Sequence, residues 1–517
     1  MAGGPFAVTR LPAMIAGLTV LALTAGALVP VIWRAGGLSG PTPADWAALR
    51  FTLLQAALSA VVSVVLAVPV ARALARRRFP GRGLLIAALG APFILPVIVA
   101  VIGLLTVFGR GGWVNAGLTA LGLPGVSIYG LHGVVLAHVF FNLPLAIRLI
   151  VQGWQAIPAE RFRLAASLGF VPRDVARVLE RPMLSEVMPA TFVAVFLICL
   201  SSFAVALTLG GGPRATTLEL AIYQSFRFDF DLARASVLAL VQCAVCLAAA
   251  MAALAMRKPA AFGAGLDRAQ DRWDGPQAWR KAADAALLVL VSGFLLLPLA
   301  AVTVAGLAGL ADMPSTVWAA GGRSLMVAAA AVTLLLAMAL PLSLVAGRGE
   351  RAVEVLGVLP LAISPLVAGT GLFLAIRPWA DPVSLSLAMT ALLNATMALP
   401  FALRALIPAA RLAAHDYGRL ADSLAMTGWA RLRLAILPRM TRAIRFSAGL
   451  TAALSMGDLG VAALFGDPER ATLPVEVFRL MGAYRMEAAS GAALLLLGLS
   501  LGVFWVIDRG GRPDAAV

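Results

Sequence analysis

The stretch LPLAIRLIVQGWQAIPAERFRLAASLGFVPRDVARVLERP, residues 143–182, lies without gaps over LPFALRALIPAARLAAHDYGRLADSLAMTGWARLRLAILP, residues 399–438, at a constant offset of 256. Pro144 meets Pro400, Arg148 meets Arg404, Leu168 meets Leu424 and Pro182 meets Pro438. Further on, GGPRATTL (211–218) meets GDPERATL (466–473) at an offset of 255. A period this long predicts two copies of a whole domain, each with its own set of helices or strands.

Outward from the repeat, composition names the solvent. Of 517 residues, 61% are hydrophobic and 13% charged, about half the charge of an ordinary soluble domain. Neither a wetted surface nor a disordered chain can be built from that. Runs long enough to cross a bilayer as helices fall near 11–33, 50–71, 84–108, 129–151, 187–209 and 233–256, then near 284–310, 324–346, 353–376, 383–407, 443–465 and 487–507. The first is too long for the apolar core of a signal peptide and reads as an uncleaved anchor. Between the two sets lies RKPAAFGAGLDRAQDRWDGPQAWRKAA, the one long polar stretch between helical blocks. The expectation is an all-α polytopic membrane protein of about 12 transmembrane helices. Residues 1–256 form a first repeat, 257–283 a cytoplasmic linker and 284–517 a second repeat. Six spans per repeat is an even number, so the copies are parallel, related by an axis along the membrane normal.

Lys+Arg 41 against Asp+Glu 25 leaves a net charge of +16, nearly all of it arginine. In a soluble chain this would suggest nucleic acid. Here the cations sit between apolar runs, where they set topology, so lipid is the expected partner and nucleic acid is not. With both termini cytoplasmic, 30 of the 41 cations face inward, as the positive-inside rule requires. Cys199, Cys243 and Cys246 lie inside apolar runs and read as packing residues, and His132, His138 and His415 lack ligand spacing, so no metal is expected. No nucleophile stands with a base, so no catalysis is expected, and no cofactor. No Gly-Lys pair exists to form a phosphate-binding loop, so any ATP hydrolysis belongs to another subunit.

Each copy of the repeated segment carries a small-residue turn, RLAASLG (163–169) and RLADSLA (419–425), with a proline thirteen residues after it. A helix that short cannot span a bilayer. It suits either a ridge docking into a groove on a partner or an amphipathic helix on lipid headgroups, and composition leaves both open. Two ridges on a pseudo-two-fold match a two-fold partner.

The segments resemble the EAA loop of ABC importer permeases, E-A-A-x-x-L-G followed thirteen residues after the glycine by proline. The first copy keeps Ala165, Leu168, Gly169 and Pro182; the second keeps Ala421, Leu424 and Pro438. Arg163 and Arg419 replace the leading glutamate and Ala425 the second glycine, with Glu160 and Asp416 three residues upstream of the arginines. The stretches 201–235 and 455–497 are similar to the fused thiamine ABC transporter permeases. The resemblance implies a type I ABC importer permease fold in a bacterial inner membrane. It places EAA-like loops at about 155–185 and 411–441, with coupling helices near 159–170 and 415–426 against a homodimeric ABC ATPase. A periplasmic thiamine-type binding protein would deliver the substrate, thiamine or its phosphates. A ferric-iron permease of the same fused architecture is the alternative. An ion-coupled carrier, the less favoured reading, would need ionisable relay residues in the spans, where Asp458 stands nearly alone.

Asp458, in LSMGDLGVAALFG, is the charge best placed inside a span, where insertion costs about 2.5–3.5 kcal/mol and function is the default reading. Its repeat mate is Phe203. A carboxylate and an aromatic face suit a passing cation such as the thiazolium that the resemblance implies. The other reading is that Asp458 bonds backbone in a locally unwound, glycine-flanked helix. The outer loop 210–232, with Glu219, Tyr223, Phe226, Phe228, Asp229, Phe230 and Asp231, could face a cationic ligand or a docking partner, but the favoured reading is an interfacial aromatic belt with solvated charges.

Overall fold

The computed structural model describes residues 7–35, 42–77, 79–89, 95–212, 215–255, 277–347, 350–467 and 469–509. The expected linker lies outside the described residues up to residue 276, as do both chain ends. All described elements are helical. The N-terminal half contains α1 (Ala7–Leu21), α2 (Ala27–Ala35), α3 (Pro43–Arg76), α4 (Arg82–Ala88), α5 (Val97–Phe108), α6 (Trp113–Ala120), α7 (Leu131–Gln155), α8 (Ala159–Ser167), α9 (Pro172–Val175), α10 (Arg181–Leu200), α11 (Ala204–Leu209), α12 (Leu218–Arg227) and α13 (Leu232–Ala255). The C-terminal half contains α14 (Ala278–Gly309), α15 (Ser315–Ala346), α16 (Arg351–Ala362), α17 (Pro365–Ile376), α18 (Ser386–Ser423), α19 (Gly428–Ala430), α20 (Leu437–Met456), α21 (Gly460–Phe465), α22 (Leu473–Gly482) and α23 (Met486–Arg509).

Among the described residues, ten helical stretches are long and apolar enough to cross a membrane. Two further expected spans, 353–376 and 443–465, are each divided. The first breaks at Ile363–Ser364 between α16 and α17, because Pro365 cannot continue a preceding helix and Ser364 caps the next one, accepting from the Val367 N–H at 3.2 Å. The second breaks at Gly457–Leu459 between α20 and α21. The run 187–209, expected as one helix, also breaks, at Ser201–Phe203 between α10 and α11.

Packing explains the alignment of the halves. The buried face of α3 repeats small residues at helical spacing (Ala48, Thr52, Ala56, Ser59, Ala60, Ser63, Ala67) and packs on α7; Ala320, Ser324, Ala328 and Ala331 do the same for α15 on α18. Lipid offers no hydrophobic drive for helix association, so close approach through small residues supplies it. The first helices cross over. α1 and α2 pack on α15 and α17 of the C-terminal half, while α14 packs on α5 of the N-terminal half. A glycine marks each crossing: a Cβ on Gly371 would lie 2.0 Å from the Ala27 carbonyl oxygen, and one on Gly103 2.4 Å from that of Pro298. The halves therefore interlock, and one buried cluster runs through both.

Candidate functional site: a cavity between two broken helices

The breaks at Ser201–Phe203 and Gly457–Leu459 face each other across a cavity of about 390 Å³, within the range of small-molecule sites. Residues in matching positions of the two halves line it, His138 with Asn394 and Phe203 with Asp458, and so do Pro96, the N-cap of α5, and Pro365, the first residue of α17.

Asp458 and Phe203 come together here. A methyl on Gly460 would lie 3.4 Å from Phe203 Cδ1 and 3.7 Å from Asp458 Oδ1, so the two side chains flank one small gap. The Asp458 carboxylate accepts from the Val461 N–H at 3.3 Å and faces the N–H groups of Gly460 and Ala462, capping α21. Its Oδ2 has no hydrogen-bond partner among the described residues. The backbone-bonding role and the cavity-lining position thus belong to the same residue. Asn394 donates to the Ser455 hydroxyl at 3.0 Å beside it. Phe203, buried, stacks edge-on to Tyr223 with ring centroids 5.1 Å apart.

His138 is the lining residue that sequence reading passed over. Its Nε2 lies 2.7 Å from the Ser202 hydroxyl and its Nδ1 3.1 Å from that of Ser59. Carrying the repeat alignment five residues upstream of 143 sets His138 against Asn394, two polar residues inside apolar helices, and that signal was sufficient. Among the described residues no three His, Cys, Asp or Glu are grouped to hold a metal ion. What the cavity offers is recognition: a carboxylate oxygen, an aromatic edge, hydroxyls, an imidazole and two carboxamides in a largely apolar wall.

The outer loop differs from expectation. Residues 218–227 form α12, which Thr217 caps by accepting from the Leu220 N–H at 3.3 Å. Glu219, Tyr223 and Phe226 share one face at helical spacing and are buried; only Phe228, Asp229, Phe230 and Asp231 are exposed. The helix folds back against α13 and α17, so the inner three are buried between helices rather than set in a belt.

The repeated polar segments are alike in detail. In the first, Ala165 is buried and its carbonyl accepts from the Phe170 N–H at 2.9 Å, while the Gly169 N–H donates to Ala166 at 3.1 Å. In the second, Ala421 is buried and accepts from Met426 at 2.8 Å, while Ala425 donates to Asp422 at 3.1 Å. This is the helix-ending pattern that needs a left-handed residue, and φ is +69° at Gly169 and +50° at Ala425. Leu168 and Leu424 project outward, 62% and 63% exposed. Pro182 and Pro438 sit where a π-helical turn (Ala176–Glu180, Arg431–Ile436) passes into α10 and α20, and that wider turn relieves the proline ring's clash with the carbonyl four residues back. Glu160 pairs with Arg163 at 3.2 Å and Asp416 with His415 at 2.9 Å, both on the surface, and Arg419 is exposed. One difference stands out. Pro158 separates α8 from α7, whereas its mate Ala414 lets α18 run unbroken to Ser423, so the second segment is the end of a long helix rather than a short helix of its own.

No protein-family model matches the chain. It is 39% identical over 504 residues to the thiamine transport system permease protein ThiP of Brucella abortus, covering 94% of this chain and 92% of that protein. It is 40% identical to the permease of the same name from Salmonella typhimurium and 39% to that of Escherichia coli, each over 90% of this chain and 89% of the relative. A probable sulfate transport system permease protein of Zygnema circumcarinatum matches at 34% over 29% of this chain and 51% of its own length.

Proposed function

The chain belongs to the thiamine transport system permeases, fused transmembrane subunits of ABC importers that are not themselves enzymes, and on that footing we propose that thiamine crosses the membrane through the cavity between Phe203 and Asp458. The likeness of 39–40% over about nine tenths of both chains carries the assignment. The protein is a multi-pass inner-membrane permease that works with an ATPase subunit and a periplasmic binding protein.

Finer features follow from the chain's own residues. The two halves act as parallel repeats, 1–256 and 284–517, that rock about the cavity and alternate its access. Both termini lie in the cytoplasm, which the inward excess of arginine supports. The segments around Glu160, Arg163, Ala165, Leu168, Gly169 and Pro182, and around Asp416, Arg419, Ala421, Leu424 and Pro438, dock on a homodimeric ATPase. The exposed leucines beside buried alanines supply the ridge. Asp458 offers a cationic cargo a counter-charge and Phe203 an aromatic face.

The test is uptake of labelled thiamine by vesicles holding the complete complex. Uptake should require ATP, survive collapse of ion gradients and ignore excess ferric salt. Competition by ferric salt, or uptake driven by an ion gradient alone, would overturn the proposal.

A further inference from the structure

Behind the Phe203 wall lies a buried polar cluster that the path itself does not touch. The Gln242 amide nitrogen donates to Glu219 Oε1 at 3.1 Å and to the Leu200 carbonyl at 2.9 Å. Leu200 is the last residue of α10, and Ser201–Phe203 beyond it line the cavity. On its other side the Glu219 carboxylate faces the hydroxyl of Ser364, which caps α17, and Pro365 and Leu366 beyond it line the cavity from the C-terminal half. Glu219 is fully buried, and Glu219 Oε2 and Gln242 Oε1 have no partner among the described residues.

A broken helix at membrane depth leaves backbone groups that must be satisfied inside the protein, and here one carboxyl group is bonded to Gln242 at one break and lies beside Ser364 at the other. We propose that Glu219 is a positioning residue: through Gln242 and Ser364 it holds one helix end from each half and so sets the width of the cavity. The repeat carries no second copy, since at the offset of 255 Glu219 and Gln242 fall opposite Pro474 and Leu497. A general packing role would not need an acceptor there; a carboxyl group between the Gln242 amide and the Ser364 hydroxyl is placed to join them.

The inference rests on reading the cavity as the substrate path, and its test separates the two. Complete complexes are compared in vesicles for uptake of thiamine and of a bulkier cation sharing its rings, at matched amounts of protein. Glu219→Leu and Gln242→Leu should each lower thiamine uptake about tenfold, and the double variant should be little worse than either, as for residues acting in one chain. Glu219→Gln keeps an acceptor of the same length and should stay within about twofold of the unmodified complex. The ratio of thiamine to bulky-cation uptake should shift at least threefold in the leucine variants, whereas simple loss of folded protein lowers both alike. If Glu219→Leu does not accumulate, Gln242→Leu and Ser364→Ala carry the same comparison. Additive losses, an unmoved ratio, or Glu219→Gln as damaging as leucine would overturn the role. Failure of the unmodified complex to carry thiamine would instead overturn the path.

Discussion

The two helix breaks occupy the same place in the repeat and solve the same problem by different means. After α10, side chains take up the freed carbonyls: Gln55 donates to Cys199 and Gln242 to Leu200, both at 2.9 Å. After α20 the backbone closes on itself, the Asp458 N–H donating to Ser455 at 3.3 Å and the Gly457 N–H to Ala453 at 3.1 Å, while the Asp458 carboxylate caps the next helix. The backbone also closes at the first break, the Ser202 N–H donating to Cys199 at 3.4 Å. The difference is that the first break has a polar side-chain backing and presents an aromatic ring, while the second presents an acid. Two identical subunits could not divide the work in this way. They would set Asp458 against its own copy across the axis, and like charges in one small cavity repel. Fusion lets a single carboxylate face a single ring, which matches a cargo with one cationic centre.

The sharpest way to break this pairing is to fill the gap between its members. Gly460→Leu places a branched side chain between Leu366, Phe203 and Asp458, where even a methyl is close. Overpacking of this kind costs about 1–3 kcal/mol, and thiamine uptake should fall at least tenfold with the complex still assembled. Full uptake would mean that the cargo passes elsewhere. Asp458→Asn sharpens the same comparison. Asparagine still caps a helix, so the break survives and only the charge is lost. Uptake should fall roughly fivefold for thiamine, given the weak attraction of a partly wetted pair, and hardly at all for an uncharged analogue. Equal losses for both would assign Asp458 to structure alone.

Much of this was legible in the sequence, and the boundary is physical. The gapless offset of 256 revealed the two halves, and Asp458 declared itself because a charge inside an apolar run has no cheap explanation. The breaks did not declare themselves. Ser201–Phe203 is flanked by CL and AVAL, so averaged hydropathy passes straight over it, and which carbonyls Gln55 and Gln242 reach is a tertiary matter. Glu219 was misread for a related reason. Its helix is short and lies between turns, and nothing local says whether such a helix faces water or folds back onto α17. The crossing of α2 over Gly371 is equally invisible, since the two are joined only by topology.

The repeated polar segments give a second, milder comparison. Pro158 parts α8 from α7, while Ala414 leaves α18 intact. Pro158→Ala should fuse the first arm into the form of the second. Spin labels at 152 and 164 should then report the separation of a continuous helix, about 18 Å along its axis, with uptake lowered roughly twofold. An unchanged distance would show that packing rather than proline makes the bend.

The smallest effect is expected where the two arms end. Gly169 and Ala425 hold the same left-handed conformation in the same hydrogen-bonded turn. For alanine that conformation carries a steric cost of about 1 kcal/mol that glycine avoids. Nothing lies within 4 Å of a Cβ at Gly169, so Gly169→Ala adds backbone strain and no collision. Amide exchange at residues 169–170 should quicken about fivefold in Gly169→Ala, the counterpart of about 1 kcal/mol in local opening, and exchange at 425–426 should slow by a similar factor in Ala425→Gly. Opposite signs at matched positions would show that the turn, rather than the residue, is what the repeat preserves. If both variants quicken exchange, the two turns are not equivalent, and the departure at Ala425 reflects an arm that ends differently.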